Sequence, residues 1–198
     1  MERVKTDIIL AGVGGQGILT IAAVLGKAAL ASGLRVKQAE VHGMAQRGGA
    51  VQSHFRMSSE TIHSDVIPKG GADFILAMEP MEALRYMEWL KDDGWVVVNE
   101  SPVENIPAYP DLNKIHAEID RHPHVIRFDG KTLAKENGSP RALNMAMLGA
   151  GSIFTGLDAD LIEQAIADHF AAKGEKVVEN NLNVFRAALE LAQSELDG

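Results

Sequence analysis

The most glycine-rich run in the chain is Gly12-Val13-Gly14-Gly15-Gln16-Gly17. Gly12, Gly14 and Gly17 occupy the three slots of a G-x-G-x-x-G pattern. Glycine permits positive φ and lets a backbone approach a ligand closely. A helix starting behind such a loop has first N–H groups with no intrahelical acceptor, and its positive dipole end points the same way. The chemistry on offer is the reception of an anion, with Gly12, Gly14, Gly15, Gln16 and Gly17 as the expected binding residues. Packing a strand tightly against a helix, with no ligand at all, requires the same glycines and is weighed equally.

A second cluster is His42-Gly43-Met44-Ala45-Gln46-Arg47-Gly48-Gly49, an imidazole, an amide and a guanidinium among three glycines. A guanidinium fork holds two oxygens of a carboxylate or phosphate. His42, Gln46 and Arg47 are therefore candidates to face a substrate or a partner; a solvated surface turn is the plainer alternative. No residue stands out as a catalytic base, and no catalytic residue is assigned. The glycine loop is not a P-loop, because no Lys-Ser/Thr closes it. His122-Pro123-His124 reads as a surface turn rather than a metal site, and His54 as a structural histidine.

The elements that must position these groups follow from periodicity. The apolar run from Asp7 leads into the glycine loop, and Ile18, Ile21, Leu25 and Ala28 then recur at helical spacing up to Ser32. Gly33 ends that helix, and residues 35–41 read as a second strand. Strand, glycine loop, helix and strand form a βαβ unit with a right-handed crossover. The histidine–arginine turn follows the carboxyl end of the second strand, where ligands of open α/β sheets bind, so it is expected beside the glycine loop. Residues 50–57 alternate as a strand, and 61–64 are expected to pair with them in a hairpin, making the sheet mixed. Further strands are expected at 72–78, 95–99 and 125–129, and helices at 81–90, 113–121 and 131–136. The helix at 142–154 is apolar nearly all round, with Asn144 its conspicuous polar member. Asp158 caps a helix over 159–172, and a final amphipathic helix covers 176–196. Asn180, Asn181 and Asn183 near its start read as caps or as a lid. The methionines read as core filler.

The bulk figures narrow the function classes. The 198 residues carry a net charge of −8 and contain no cysteine. An acidic chain without a basic run argues against nucleic-acid binding. Without cysteine the chain has no disulfide, no thiol nucleophile and no cysteine-ligated cluster of its own. The N-terminus shows no signal-peptide pattern and no segment reads as a membrane span, so a cytoplasmic protein is expected. One domain over 1–198 is the simplest organisation.

Taken together, the glycine loop, the Met-Ala-Gln-Arg-Gly-Gly turn at 44–49, and Asn144 ahead of a run ending Gly149-Ala150 resemble the gamma subunits of 2-oxoacid:ferredoxin oxidoreductases. They are most similar to the small (beta) subunits of indolepyruvate ferredoxin oxidoreductases. The likeness runs from Asp7 to about Leu191. It implies an α/β fold: a three-layer α/β/α, Rossmann-like domain with a mostly parallel mixed sheet and a helical C-terminal portion. It also implies a subunit inactive alone, whose large partner carries thiamine diphosphate, magnesium and iron–sulfur clusters. The complex would oxidatively decarboxylate an aryl 2-oxoacid to an acyl-CoA and pass electrons to ferredoxin. On this reading the glycine loop meets an anion such as a phosphate of coenzyme A, while His42, Gln46, Arg47 and Asn144 face substrate or partner. An isolated chain, deprived of its partner, could self-associate as a homodimer. Two other readings stand beside it. One is a free-standing NAD dehydrogenase with Glu40 on the ribose; the other is an interaction module whose glycine loop binds nothing.

Overall fold

A computed structural model of the chain describes residues 4–42, 48–104 and 108–197, with the backbone alone for His42. The strands are β1 (Lys5–Val13), β2 (Arg35–His42), β3 (Ala50–Ser58), β4 (Ala72–Ala77), β5 (Leu90–Asn99) and β6 (Val125–Phe128). The helices are α1 (Ile18–Ala31), α2 (Pro80–Arg85), α3 (Leu112–Ile119), α4 (Gly130–Asn137), α5 (Leu143–Ser152), α6 (Ala159–Phe170) and α7 (Glu175–Asp197). The strands form one sheet in the order β2-β3-β1-β4-β5-β6. β1, β4, β5 and β6 run parallel, and β3 runs antiparallel to both β1 and β2.

The strand sequences explain why both faces are covered. Ile8 and Leu10 of β1 point into one apolar cluster with Phe74, Leu76 and Val97, while Ile9 and Ala11 point into the other with Ile75, Ala77, Val96 and Val98. A strand apolar at consecutive positions needs a layer on each side. α1, α4, α5, α6 and α7 cover the first face; α2 and α3 cover the second. The result is the expected three-layer α/β/α architecture with its C-terminal helices gathered on one side.

Several expectations shift. The hairpin between 50–57 and 61–64 does not form: 61–64 is irregular, and the sheet is mixed because β3 lies between β1 and β2. β3 lies between the two parallel strands of the βαβ unit, so β2 bonds to β3 and not to β1. The helix over 81–90 is shorter. α2 stops at Arg85, a single 3-10 turn spans Met87–Trp89, and β5 begins at Leu90 rather than 95. Pro80 takes the first helical turn, and the Glu79 side chain accepts from the Glu82 N–H at 2.9 Å. Met57, Met78, Met145 and Met147 fill the core as read.

α5 is buried from Asn144 to Ser152. It lies against α7 at Gly149, where an added Cβ would stand 2.2 Å from the Phe185 carbonyl oxygen. Contact at that distance is with backbone, which cannot swing aside. Gly149→Ala is therefore expected to destabilise the chain by about 1–3 kcal/mol, the usual range for overpacking, as read by urea unfolding.

At the amino end of β1, Asp7 is almost wholly buried and joined to Arg56 of β3 by paired bonds, Nε to Oδ1 at 2.7 Å and Nη2 to Oδ2 at 2.8 Å. Lys5 lies 2.9 Å from the same carboxylate. Burial pushes the Asp7 carboxyl up, but the Arg56 and Lys5 partners outweigh it and hold its pKa below the usual value. Next along β3, His54 is buried, and its Nδ1 accepts the Ile67 N–H at 3.2 Å. Burial first, and the Arg56 charge second, hold the ring below the ordinary histidine pKa. The ring is thus structural, as read from the sequence.

The sign for His54 follows directly. Acid protonates the unfolded chain's histidine before the folded one, so this contribution is present above the unfolded value of about 6.5 and is lost as pH falls below it. Urea unfolding across pH 7.5 to 5 should show a smaller acid-side loss of stability in His54→Phe than in the parent chain. The same variant should be weaker at neutral pH, where the Ile67 N–H loses its acceptor.

Candidate functional site

The candidate site lies at the carboxyl ends of β1 and β4. There β1 leaves the sheet through residues 14–17 and enters α1. Gly15 and Gly17 adopt positive φ, 102° and 88°. Gly12 has no room for a side chain: an added Cβ would meet Gln16 Oε1 at 2.7 Å and Met78 Cβ at 2.9 Å.

Gln16 is the fastener of this loop. Its Oε1 accepts the Val13 N–H at 2.7 Å, and its Nε2 donates to the Met78 carbonyl, beyond the end of β4, at 3.0 Å. Its own N–H returns to the Val13 carbonyl at 3.1 Å. Gly14 N–H is also committed, to the Gly49 carbonyl at 2.8 Å. Among the described residues the N–H groups of Gly15 and Gly17 meet no acceptor. Of the five expected binding residues, Gly15 and Gly17 keep open N–H groups, while Gly14 and Gln16 hold the loop in shape.

The bond from Gly14 to Gly49 brings the last described residues of the second cluster to the glycine loop. Val13 pairs with Ala50 at the start of β3, which brings Gly49 against the glycine loop. Gln46 and Arg47, and the side chain of His42, lie outside the described residues; the flanking Gly48 and Gly49 stand against Gly14.

Asn144 reaches the loop from α5. It is 8 % exposed, and an added Cβ at Gly17 would meet its Nδ2 at 2.7 Å. Gly17 is thus required twice, by its backbone angle and by the amide above it. The Asn144 Oδ1 accepts the Met145 N–H at 3.1 Å, and the Nδ2 has no acceptor among the described residues.

Two cavities flank the loop. One, about 400 Å³, is lined by Val13, Gly14, Ile18, Leu19, Val51 and Glu40. The other, about 420 Å³, is polar and lies between the loop, the segment before α5 and the start of α7; Asn144, Arg141, Lys173 and Asn181 line it. Gly15 and Gly17 border both. Glu40 lines the first cavity from β2, one strand beyond β3. With strands about 4.8 Å apart, the insertion sets Glu40 about 10 Å from β1, farther than an acidic ribose partner on an adjacent strand.

Sequence reasoning missed two features. Asn99, at the end of the apolar run of β5, is buried; its amide donates to the carbonyls of Met78 at 3.3 Å and Ser101 at 3.0 Å and accepts the Gly130 N–H at 3.1 Å. It ties the ends of β4 and β5 to the start of α4. A polar residue closing a Val-Val-Val run was its visible signal. The other is the pair Arg141 and Lys173, far apart in sequence and brought to one cavity only by packing. His122 and His124 do not converge on a shared partner: His122 Nε2 meets the Gly94 carbonyl at 2.8 Å, and His124 lies against Trp95 at 5.0 Å.

The family model for pyruvate ferredoxin/flavodoxin oxidoreductase matches residues 7–191. The chain therefore belongs to that family. An indolepyruvate oxidoreductase subunit IorB from Archaeoglobus fulgidus is 35% identical, the match covering 96% of each chain. The 2-oxoglutarate synthase subunit KorC from Methanothermobacter thermautotrophicus is 33% identical over 96% of this chain and 97% of its own. Among solved structures, the 2-oxoglutarate:ferredoxin oxidoreductase from Magnetococcus marinus, with 2-oxoglutarate, coenzyme A and succinyl-CoA bound, superposes with a TM-score of 0.76 at 26% identity. That match covers 98% of this chain and 32% of the larger one. The chain is, accordingly, a small subunit of a 2-oxoacid:ferredoxin oxidoreductase.

The fastener role of Gln16 has a measurable consequence. Gln16→Ala leaves the Val13 N–H without its side-chain acceptor, while the Met78 carbonyl keeps the Asn99 amide. Unsatisfied buried groups cost about 1–3 kcal/mol each, so urea unfolding should show a loss in that range, and amide exchange at residues 13–17 should accelerate.

Proposed function

We propose that the chain is the small subunit of an aryl 2-oxoacid, indolepyruvate-type, ferredoxin oxidoreductase. Its glycine loop and the turn at 42–49 form one wall of a site that a large partner subunit completes. The partner carries thiamine diphosphate, magnesium and the iron–sulfur clusters; the cysteine-free sequence here supplies no thiolate for such clusters. Thiamine diphosphate supplies the electron sink for decarboxylation, coenzyme A takes the acyl group, and ferredoxin takes the electrons.

The observation that carries this reading is the Gly14 to Gly49 bond at 2.8 Å. It sets the start of α1, with the open Gly15 and Gly17 N–H groups, beside Gly49, two residues after Arg47 in the sequence. A backbone donor set next to a guanidinium suits a carboxylate or phosphate. The bound coenzyme A in the Magnetococcus marinus relative supports a phosphate of that cofactor as the group received. His42, Gln46 and Arg47 then face substrate or partner. The indolepyruvate preference rests on the full-length likeness to IorB subunits. No helix among the described residues is long and apolar enough to cross a membrane, which agrees with a cytoplasmic complex that receives ferredoxin. The isolated chain is expected to expose its partner face and to dimerise through it.

The displaced Glu40 weighs against the NAD dehydrogenase reading. The test is co-expression with the large subunit. Arg47→Ala should lower kcat/KM for coenzyme A or the oxoacid by about 10- to 100-fold, the worth of a charge-assisted bond, with the complex still assembled. Unchanged turnover in an intact complex would overturn the assignment, as would saturable NAD binding to the purified chain.

A further inference from the structure

α7 presents two faces that differ in kind. One packs into the core through Val184, Phe185 and Ala188. The other lines a trough along the outside of the helix, made of two adjoining cavities of about 470 Å³ and about 410 Å³ that share Asn183 and Arg186. The end of α6 and the turn after it close the first cavity with Ala167, Asp168 and Ala171, and Glu136 and Asn137 of α4 close the second. Neither cavity shares a lining residue with the two that flank the glycine loop.

The trough combines an apolar floor with an acidic rim. Val178 and Leu182 pack against the core on their inner side and stay partly exposed in the trough. Asp168, Glu175 and Glu179 stand around them, and Glu136 and Glu190 continue the rim. None of these five carboxylates meets a cation among the described residues. Arg186 is the one cation that lines the trough among the described residues, and Glu163 takes it: Nε donates to Oε1 at 2.8 Å, and Nη2 donates to Oε2.

That pattern selects the occupant. Valine and leucine side chains left partly open in a concave surface favour a partner that covers them with apolar groups. The rim decides the charge. Nucleic acid and anionic lipid carry the wrong sign. So does a second copy, which would bring the same five carboxylates and a net charge of −8. Lysine or arginine flanking an apolar stripe satisfies both conditions. From Glu175 to Glu190 the exposed stripe of α7 runs about 22 Å, roughly four turns of a helix laid alongside.

We therefore propose that the trough along α7 docks a basic amphipathic helix of the large partner subunit. The apolar stripe of that helix lies on Val178 and Leu182, and its lysines or arginines meet Asp168, Glu179 and Glu190. The docking rests on the function proposed above only in that a large partner subunit exists; it uses no residue of the glycine loop or of the turn at 42–49.

The test uses the full chain with the large subunit. Because the chain contains no cysteine, Asn183→Cys places a single thiol in the trough at an exposed position. Maleimide labelling of that thiol should slow by about 10-fold or more in the assembled complex, as exclusion of solvent from an interface requires. Asp168→Lys combined with Glu179→Lys reverses one acid on each wall. Both side chains are exposed, so the isolated variant should keep the Tm of the parent. Its affinity for the large subunit should fall at least about 10-fold, and the remaining binding should depend less on salt. Glu195→Lys combined with Asp197→Lys makes the same change of net charge at the end of α7, outside the trough, and should bind as the parent does. A thiol that reacts equally fast in the intact complex, a trough variant that binds like the parent, or equal weakening by the control pair would overturn the proposal. So would protection that rises with the concentration of the chain alone, since a second copy would then fill the trough. A parent chain that assembles with no large subunit would overturn the proposed function and this docking together, whereas an exposed trough in an assembled complex sinks the docking alone.

Discussion

The arrangement at the carboxyl end of β1 depends on one constraint. The chain must leave a central strand, turn and start a helix within the few residues 14–17. Gln16 meets that constraint by bonding to the backbone on both sides of the crevice, Val13 of its own strand and Met78 at the end of β4. Because the amide sits so close, nothing but hydrogen fits on Gly12. Because the turn is so tight, Gly15 and Gly17 take positive φ, which L side chains rarely adopt. The open N–H groups at the head of α1 are a consequence of that geometry.

β3 gives the site its second half. A strand bonded to β1 along its whole length, from Lys5 to Val13, delivers Gly48 and Gly49 onto the glycine loop. At the other end the same pair is locked by Asp7 and Arg56, an ion pair with almost no water on the carboxylate. A buried pair of this kind adds little net stability but penalises any slipped register, since a shift would strand a buried charge. The register that puts Gly14 against Gly49 at the top is thus guarded by a salt bridge at the bottom. Family membership agrees with a chain that works as one subunit of a larger oxidoreductase.

α5 links the site to the C-terminal helices. It is buried on all sides, touches α7 through Gly149, and carries Asn144 over Gly17. A buried helix held by backbone contact is a rigid support, and a polar side chain projected from it is placed with little freedom. The cation-lined cavity behind the loop is built on the same support, since α5, α7 and the turn after α6 converge there.

The sequence alone showed the layer architecture, because strands apolar at consecutive positions must be covered twice, and it located the glycine loop and Asn144 on their elements. The boundaries of α1, α3, α6 and α7 followed from caps and periodicity to within a few residues. Tertiary structure decided the rest. Strand order is set by long-range pairing that no local pattern encodes, so the insertion of β3 between β1 and β2, and with it the displacement of Glu40, came only with the fold. The division of the loop's N–H groups into used and open ones depended on where Met78 and Gly49 arrive. The meeting of Arg141 with Lys173 required α5 and α7 to pack, and residues 32 apart in a chain share a cavity only when such packing brings them there.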